Sequence, residues 1–78
     1  MSTEGTVTAV DTTASTVTLT TEEDGQSKTF TIPTTATIEV NGTTATLSAV
    51  QVGMHAVVTF DSMGNVVKLE AKTPENDD

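Results

Sequence analysis

Thr16-Val17-Thr18-Leu19-Thr20, Glu22-Glu23-Asp24-Gly25-Gln26 and Lys28-Thr29-Phe30-Thr31-Ile32 succeed one another in the passage that decides the fold. The first and third segments alternate polar and apolar residues with a period of two, which is the repeat of a half-buried strand. Val17 and Leu19 fall on one face and the threonines on the other; Phe30 and Ile32 repeat the pattern. The middle segment is charged and contains Asp24-Gly25, a dipeptide suited to the positive φ of a hairpin turn. The passage therefore reads as a β-hairpin, and Pro33, which has no N–H to donate to a ladder, ends its second strand.

The same period extends in both directions. Thr6-Val7-Thr8-Ala9 opens an earlier strand; Val10 follows out of phase, so a bulge or twist is expected there, and Asp11–Ser15 is a turn. Downstream, Ala36-Thr37-Ile38-Glu39-Val40 points Ile38 and Val40 inward, and Asn41-Gly42 is the strongest hairpin signal in the chain. Thr43 to Leu47 returns as a short strand. Leu47, Val50 and Val52 then fit one helical turn near residues 48–52, with Ser48 as its cap and Gly53 as its stop. Met54 to Phe60 and a last strand with Val67, Leu69 and Ala71 inward follow, joined by a turn over Ser62-Met63-Gly64-Asn65. Composition agrees: Thr occurs 19 times and Val 10 times in 78 residues, and both are β-branched.

Six or seven short strands with one helical turn predict an all-β fold. A chain this short favours closure into a small antiparallel β-barrel, OB-like or SH3-like, with its first and last strands adjacent; a small β-sandwich is the alternative. The expected organisation is a flexible N-terminus over 1–4, one β-barrel domain over 5–72 and a disordered acidic tail over 73–78. The tail has three carboxylates and no apolar side chain.

Gly5-x-Val7-x-x-Val10, the Thr-x-Thr hairpin, Thr37-Ile38-x-Val40-Asn41-Gly42-x-x-Ala45-x-Leu47 and Val52-Gly53-Met54 together resemble an uncharacterised bacterial family of small all-β domains carried by exported or envelope proteins. The resemblance spans most of residues 5–71 and implies an accessory β-module of the bacterial envelope or exterior. It carries no catalytic residue with it. Such domains often place Asp after the Val-Gly pair, where this chain has Met54.

Charge and residue types narrow the chemistry. Eleven acids against three bases give a formal charge of −8. Lys28, Lys68 and Lys72 are the only bases, too few for a phosphate-binding patch, so nucleic acid is not an expected partner. No apolar run approaches the ~20 residues of a membrane-spanning helix, so no membrane insertion is expected. Met1-Ser2-Thr3-Glu4 lacks the basic start and apolar core of a signal peptide, and apart from the resemblance a cytoplasmic location is the default. With no Cys and only His55, thiolate chemistry and transition-metal sites are not expected. His55 falls out of phase with Met54, Ala56 and Val58, so it faces solvent or a rim; Ser48, Ser62 and Asp61 lack a nucleophile-elbow context. No phosphate-cradling glycine loop occurs. Phe30 and Phe60 occupy inward positions and are assigned to the core, leaving no aromatic platform for bases or sugars. The Thr-x-Thr pairs suit the solvent face of strands; ice-binding surfaces use flat ladders of this kind, but a small barrel twists its outer face.

The candidate metal ligands are Asp11, Glu22, Glu23 and Asp24, because hard cations take several oxygens from acidic loops. They do not match the spaced aspartates of a calcium-binding helix–loop–helix. The functional expectation is a non-enzymatic structural or protein-interaction module with no cofactor. It would engage an unidentified protein partner, with a basic one favoured, through a strand edge, a loop or its acidic surface. Monomers, or weak homo-oligomers formed by edge-strand pairing, are expected. The alternative is a calcium- or glycan-binding accessory domain using the acidic loops.

Overall fold

A computed structural model describes residues 1–74. Seven strands form one sheet: β1 (Ser2–Asp11), β2 (Thr16–Thr21), β3 (Ser27–Thr31), β4 (Thr37–Val40), β5 (Thr43–Thr44), β6 (His55–Phe60) and β7 (Val66–Lys72). Their spatial order is β3-β2-β1-β6-β7-β4-β5. The fold is all-β, as the alternation predicts. Among the described residues the ladder does not close, and β3 and β5 are its edges. The sheet is nonetheless curled, because Phe30 on the β3 edge reaches Phe60 on β6, with ring centroids 5.5 Å apart.

Two features of the expected topology are corrected. The arrangement is not wholly antiparallel, since β4 pairs with β7 in parallel, Ile38 beside Leu69 and Val40 beside Ala71. The first and last strands are not adjacent either, since β6 lies between β1 and β7. Alternation says which face a side chain takes, and that is the same whether the neighbouring strand runs up or down. The N-terminus is also corrected. Ser2, Thr3 and Glu4, expected to be flexible, pair with Thr59, Val58 and Val57, and Phe60 N donates to Met1 O at 2.8 Å. At the other end, Thr73 is tied to Asn41, its amide 3.0 Å from the Asn41 side-chain oxygen. The remainder of the expected tail, residues 75–78, lies outside the described residues.

The sheet carries two bulges, one of them near the expected break at Val10. Val7 pairs with Leu19 and Ala9 with Thr18, so the extra residue is Thr8, two places before the Val10 that signals it. The second bulge corrects an inward assignment. Thr59 pairs with Lys68 but Phe60 with Val66, which makes Val67 the extra residue. Val66 is therefore buried and Val67 is 42 % exposed. The helical turn is also displaced: it is a 3₁₀ turn at Leu47–Ala49, preceded by Thr46 rather than capped by Ser48, and Val52 is exposed. Asn41 (φ 52°) and Gly42 (φ 82°) make the expected turn with two positive φ values, joining Val40 to Thr43.

The core lies on the concave face. Val7, Val17, Leu19, Val58 and Leu69 are its largest fully buried side chains, joined by Ile32, Val50, Ala56, Val66 and Ala71. The convex face divides in two. Over β1, β2 and β3 it carries hydroxyls, with Thr18 Oγ1 2.9 Å from Thr29 Oγ1 and Thr20 Oγ1 3.3 Å from Ser27 Oγ. Over β6, β7 and β4 it carries charges, with Lys68 Nζ 3.7 Å from Glu70 and 3.9 Å from Glu39.

Candidate functional site: the open seam beside strand β3

Among the described residues, no strand pairs with the outer row of backbone groups of the β2–β3 hairpin. Thr21 N donates to Gln26 O at 2.9 Å and Ile32 N to Ser15 O at 2.8 Å. Antiparallel pairs alternate between those that exchange backbone bonds and those that do not. The bonded pairs are then Leu19 with Lys28 and Val17 with Phe30, while Thr20/Ser27, Thr18/Thr29 and Thr16/Thr31 are the closer, non-bonded pairs. The short Thr18–Thr29 hydroxyl contact fits that assignment. It follows that the N–H and C=O groups of Ser27, Thr29 and Thr31 point away from β2, at the edge of the sheet.

A groove opens on that side. Thr29, Phe30, Thr31 and Pro33 form one wall; Phe60, Gly64, Asn65 and Val66 form the other. Phe30 and Phe60 are only partly buried. The assignment of both to the core is thus half right: they pack against it from the seam, where one side of each ring pair is uncovered. The signal that would have revealed this is the pairing order, which alternation does not contain.

An acidic concavity lies toward the other end of β3. Ser2, Thr3, Glu4, Thr21, Glu23, Asp24 and Lys28 line it; Glu4, paired with Val57, belongs to the convex face, which leaves two carboxylates against one ammonium. Lys28 and Phe30 are successive core-face residues of β3, as their partners Leu19 and Val17 are fully buried. They link the acidic concavity to the apolar groove.

The acidic candidates are not brought together. Asp11 pairs with Thr16 at the start of β2, and Glu22, Glu23 and Asp24 follow its end, a six-residue strand away. Asp11 accepts the amides of Thr13 and Ala14, both at 3.0 Å. Asp24 accepts the Thr21 hydroxyl and the Gln26 amide. Glu22 lies 3.6 Å from His55 Nε2, and Glu23 lines the acidic concavity. Among the described residues, no three His, Asp or Glu side chains gather as a metal would require. His55 is on the convex face with Glu22 as its ionic neighbour. Of the two serines and the acid considered with it, Ser48 bonds with Thr46, Asp61 holds its own turn, and Ser62 lies exposed in that turn. No helix among the described residues is long and apolar enough to cross a membrane.

Asp61 opens the loop Asp61-Ser62-Met63-Gly64-Asn65, and an aspartate at the head of a short loop is the sequence signal of a side-chain-to-backbone turn. It accepts the amides of Met63 and Asn65, both at 2.9 Å, and thereby holds one wall of the groove. Bonds from the Asn65 and Met63 amides hold its carboxyl below the ordinary carboxylate value. The Thr21 hydroxyl, followed by the Gln26 amide, does the same for Asp24. Both groups therefore stabilise the fold above the ordinary value near 3.8, and that stabilisation is lost as pH falls through their lowered folded values. Protonation of the exposed carboxylates works in the opposite direction by relieving repulsion within a chain of charge −8. The diagnostic is thus a difference. Wild type should lose more melting temperature between about pH 5 and pH 2 than a D24N/D61N variant, which starts lower at neutral pH. Parallel curves would remove the two aspartates from the account.

No protein-family model matches the chain, and comparison with curated proteins yields no match.

Proposed function

We propose that this chain is a non-enzymatic protein-interaction module that binds by adding a partner strand to β3. The observation that supports it is the outward row of backbone groups at Ser27, Thr29 and Thr31, with a partly apolar groove beside it. Strand addition draws affinity from main-chain hydrogen bonds and specificity from pockets for alternate side chains, and the seam offers both. The small OB-like or SH3-like barrel belongs to the same proposal: an added strand would occupy the gap across which Phe30 and Phe60 meet. So does a place as an accessory domain of an exported or envelope protein, which the family resemblance suggests.

The test uses the edge amides. A capped heptapeptide alternating threonine and valine should shift the Ser27, Thr29 and Thr31 amide resonances and slow their hydrogen exchange. Thr29→Pro removes one outward donor and no backbone bond to β2, losing there only the Thr18–Thr29 hydroxyl contact, so it should preserve the fold and abolish the shifts. Thr31→Pro serves the same purpose if Thr29→Pro does not fold. Shifts that are absent in the wild type, or that survive both proline variants, would refute the proposal.

A further inference from the structure

Resting on that reading, we infer that the occupant of the β3 edge is an extended basic segment, with an apolar side chain over the Phe30–Phe60 pair and a cationic one toward the Glu22–Asp24 loop. The two ends of β3 ask for different chemistry. At Phe30 the core-face pocket is formed by Phe60, Pro33 and Val66, so a strand residue facing it gains by covering the rings. Toward the start of β3, Glu23 and Asp24 outnumber Lys28 in one concavity, leaving it net negative. A cation directly opposite Lys28 would be repelled, since like charges facing each other across strands destabilise. The favourable position is one core-face step further on, beside the acidic loop. The long-range field points the same way, because a chain of charge −8 attracts cationic segments.

A second copy is the competing occupant, and charge opposes it. Two chains of charge −8 repel, and self-pairing centred on Lys28 sets two ammonium groups face to face. A core-facing lysine on an edge strand is also a device by which sheets resist pairing with their own kind.

The experiment compares two capped heptapeptides with the same threonine–valine centre, one with lysine and one with glutamate at both ends. Titration into the labelled chain at low salt should give at least about tenfold tighter binding for the lysine peptide. The ratio should shrink toward one at ~1 M salt and narrow in Glu23→Gln. Replacing the central valine by threonine should weaken both peptides. Equal affinities, or tighter binding of the glutamate peptide, would overturn this inference and leave the edge reading standing. Edge amides unmoved by either peptide would overturn both. A concentration-dependent dimer in sedimentation, abolished by Thr29→Pro, would assign the edge to a second copy and overturn the inference by itself.

Discussion

Gly5→Ala is expected to lower the melting temperature by at least about 12 °C. A Cβ at this position would sit 2.3 Å from Thr20 O, 2.8 Å from Thr20 C and 3.1 Å from Thr21 Cα. All three atoms are backbone of β2, so no side chain can swing aside; the strands must part. Gly5 is paired on both sides, with Thr21 in β2 and Ala56 in β6, at the centre of the sheet order. Separation there disturbs two ladders together. Overpacking a core costs about 1–3 kcal/mol and sometimes more. A rigid backbone clash belongs at or above the upper figure, and each kcal/mol is about 4–8 °C in a domain this small. Gly25→Ala is the contrast: its Cβ meets nothing within 4 Å, and only its φ of +69° is strained. It should cost about 1 kcal/mol. If the Gly5 and Gly25 variants melt together, the close approach of β1 and β2 is not what Gly5 serves.

Gly5 also marks the limit of reading this chain from its residues. Its Val7-x-x-Val10 context announces a strand, but nothing local announces that another backbone passes within van der Waals contact. What was legible was local. Val17 and Leu19 are inward because alternation requires it, and Asn41-Gly42 turns because both residues accept positive φ. What was not legible was which strand lies beside which. Loop closure is inexpensive and grows slowly with length, so the segment from Pro33 to Ala36 can carry the chain from one edge to β7 as readily as to a neighbour of β3. The parallel β4–β7 pair, the exposed β3 edge and the uncovered side of Phe30 all follow from that crossing. The candidate site was hidden for this reason. Its residues were visible as a strand and two aromatic rings, whereas its vacancy depends on the order of the whole sheet. The acidic loops were conspicuous, yet Asp11 and Asp24 use their oxygens to hold turns.

Leu69→Ala should destabilise the domain by about 2–5 kcal/mol, the range for removing a fully buried leucine side chain. Leu69 has no exposed surface and stands between Val58 of β6 and Ile38 of β4. The cavity would open where the antiparallel and parallel parts of the sheet meet, and β4 is held there by only four residue pairs. Native stability for a chain of this length is about 4–12 kcal/mol, so the variant loses a large share of it and should melt at least about 8 °C lower. Amide exchange in β4 should accelerate before that in β1 and β2, because β5 beyond it contributes only two residues. Val67→Ala supplies the decisive comparison. Plain alternation puts Val67 on the same face as Leu69, and its truncation would then cost nearly as much. The bulge opposite Thr59 and Phe60 turns Val67 to solvent and Val66 to the core, so Val67→Ala should cost less than about 0.5 kcal/mol. Val66→Ala should cost about 1 kcal/mol or more, and it should also widen the groove beside Phe60. A chemical-denaturation series on the three variants reads both results. A Val67 cost close to that of Leu69 would remove the bulge, and with it the placement of Val66 on the wall of the seam.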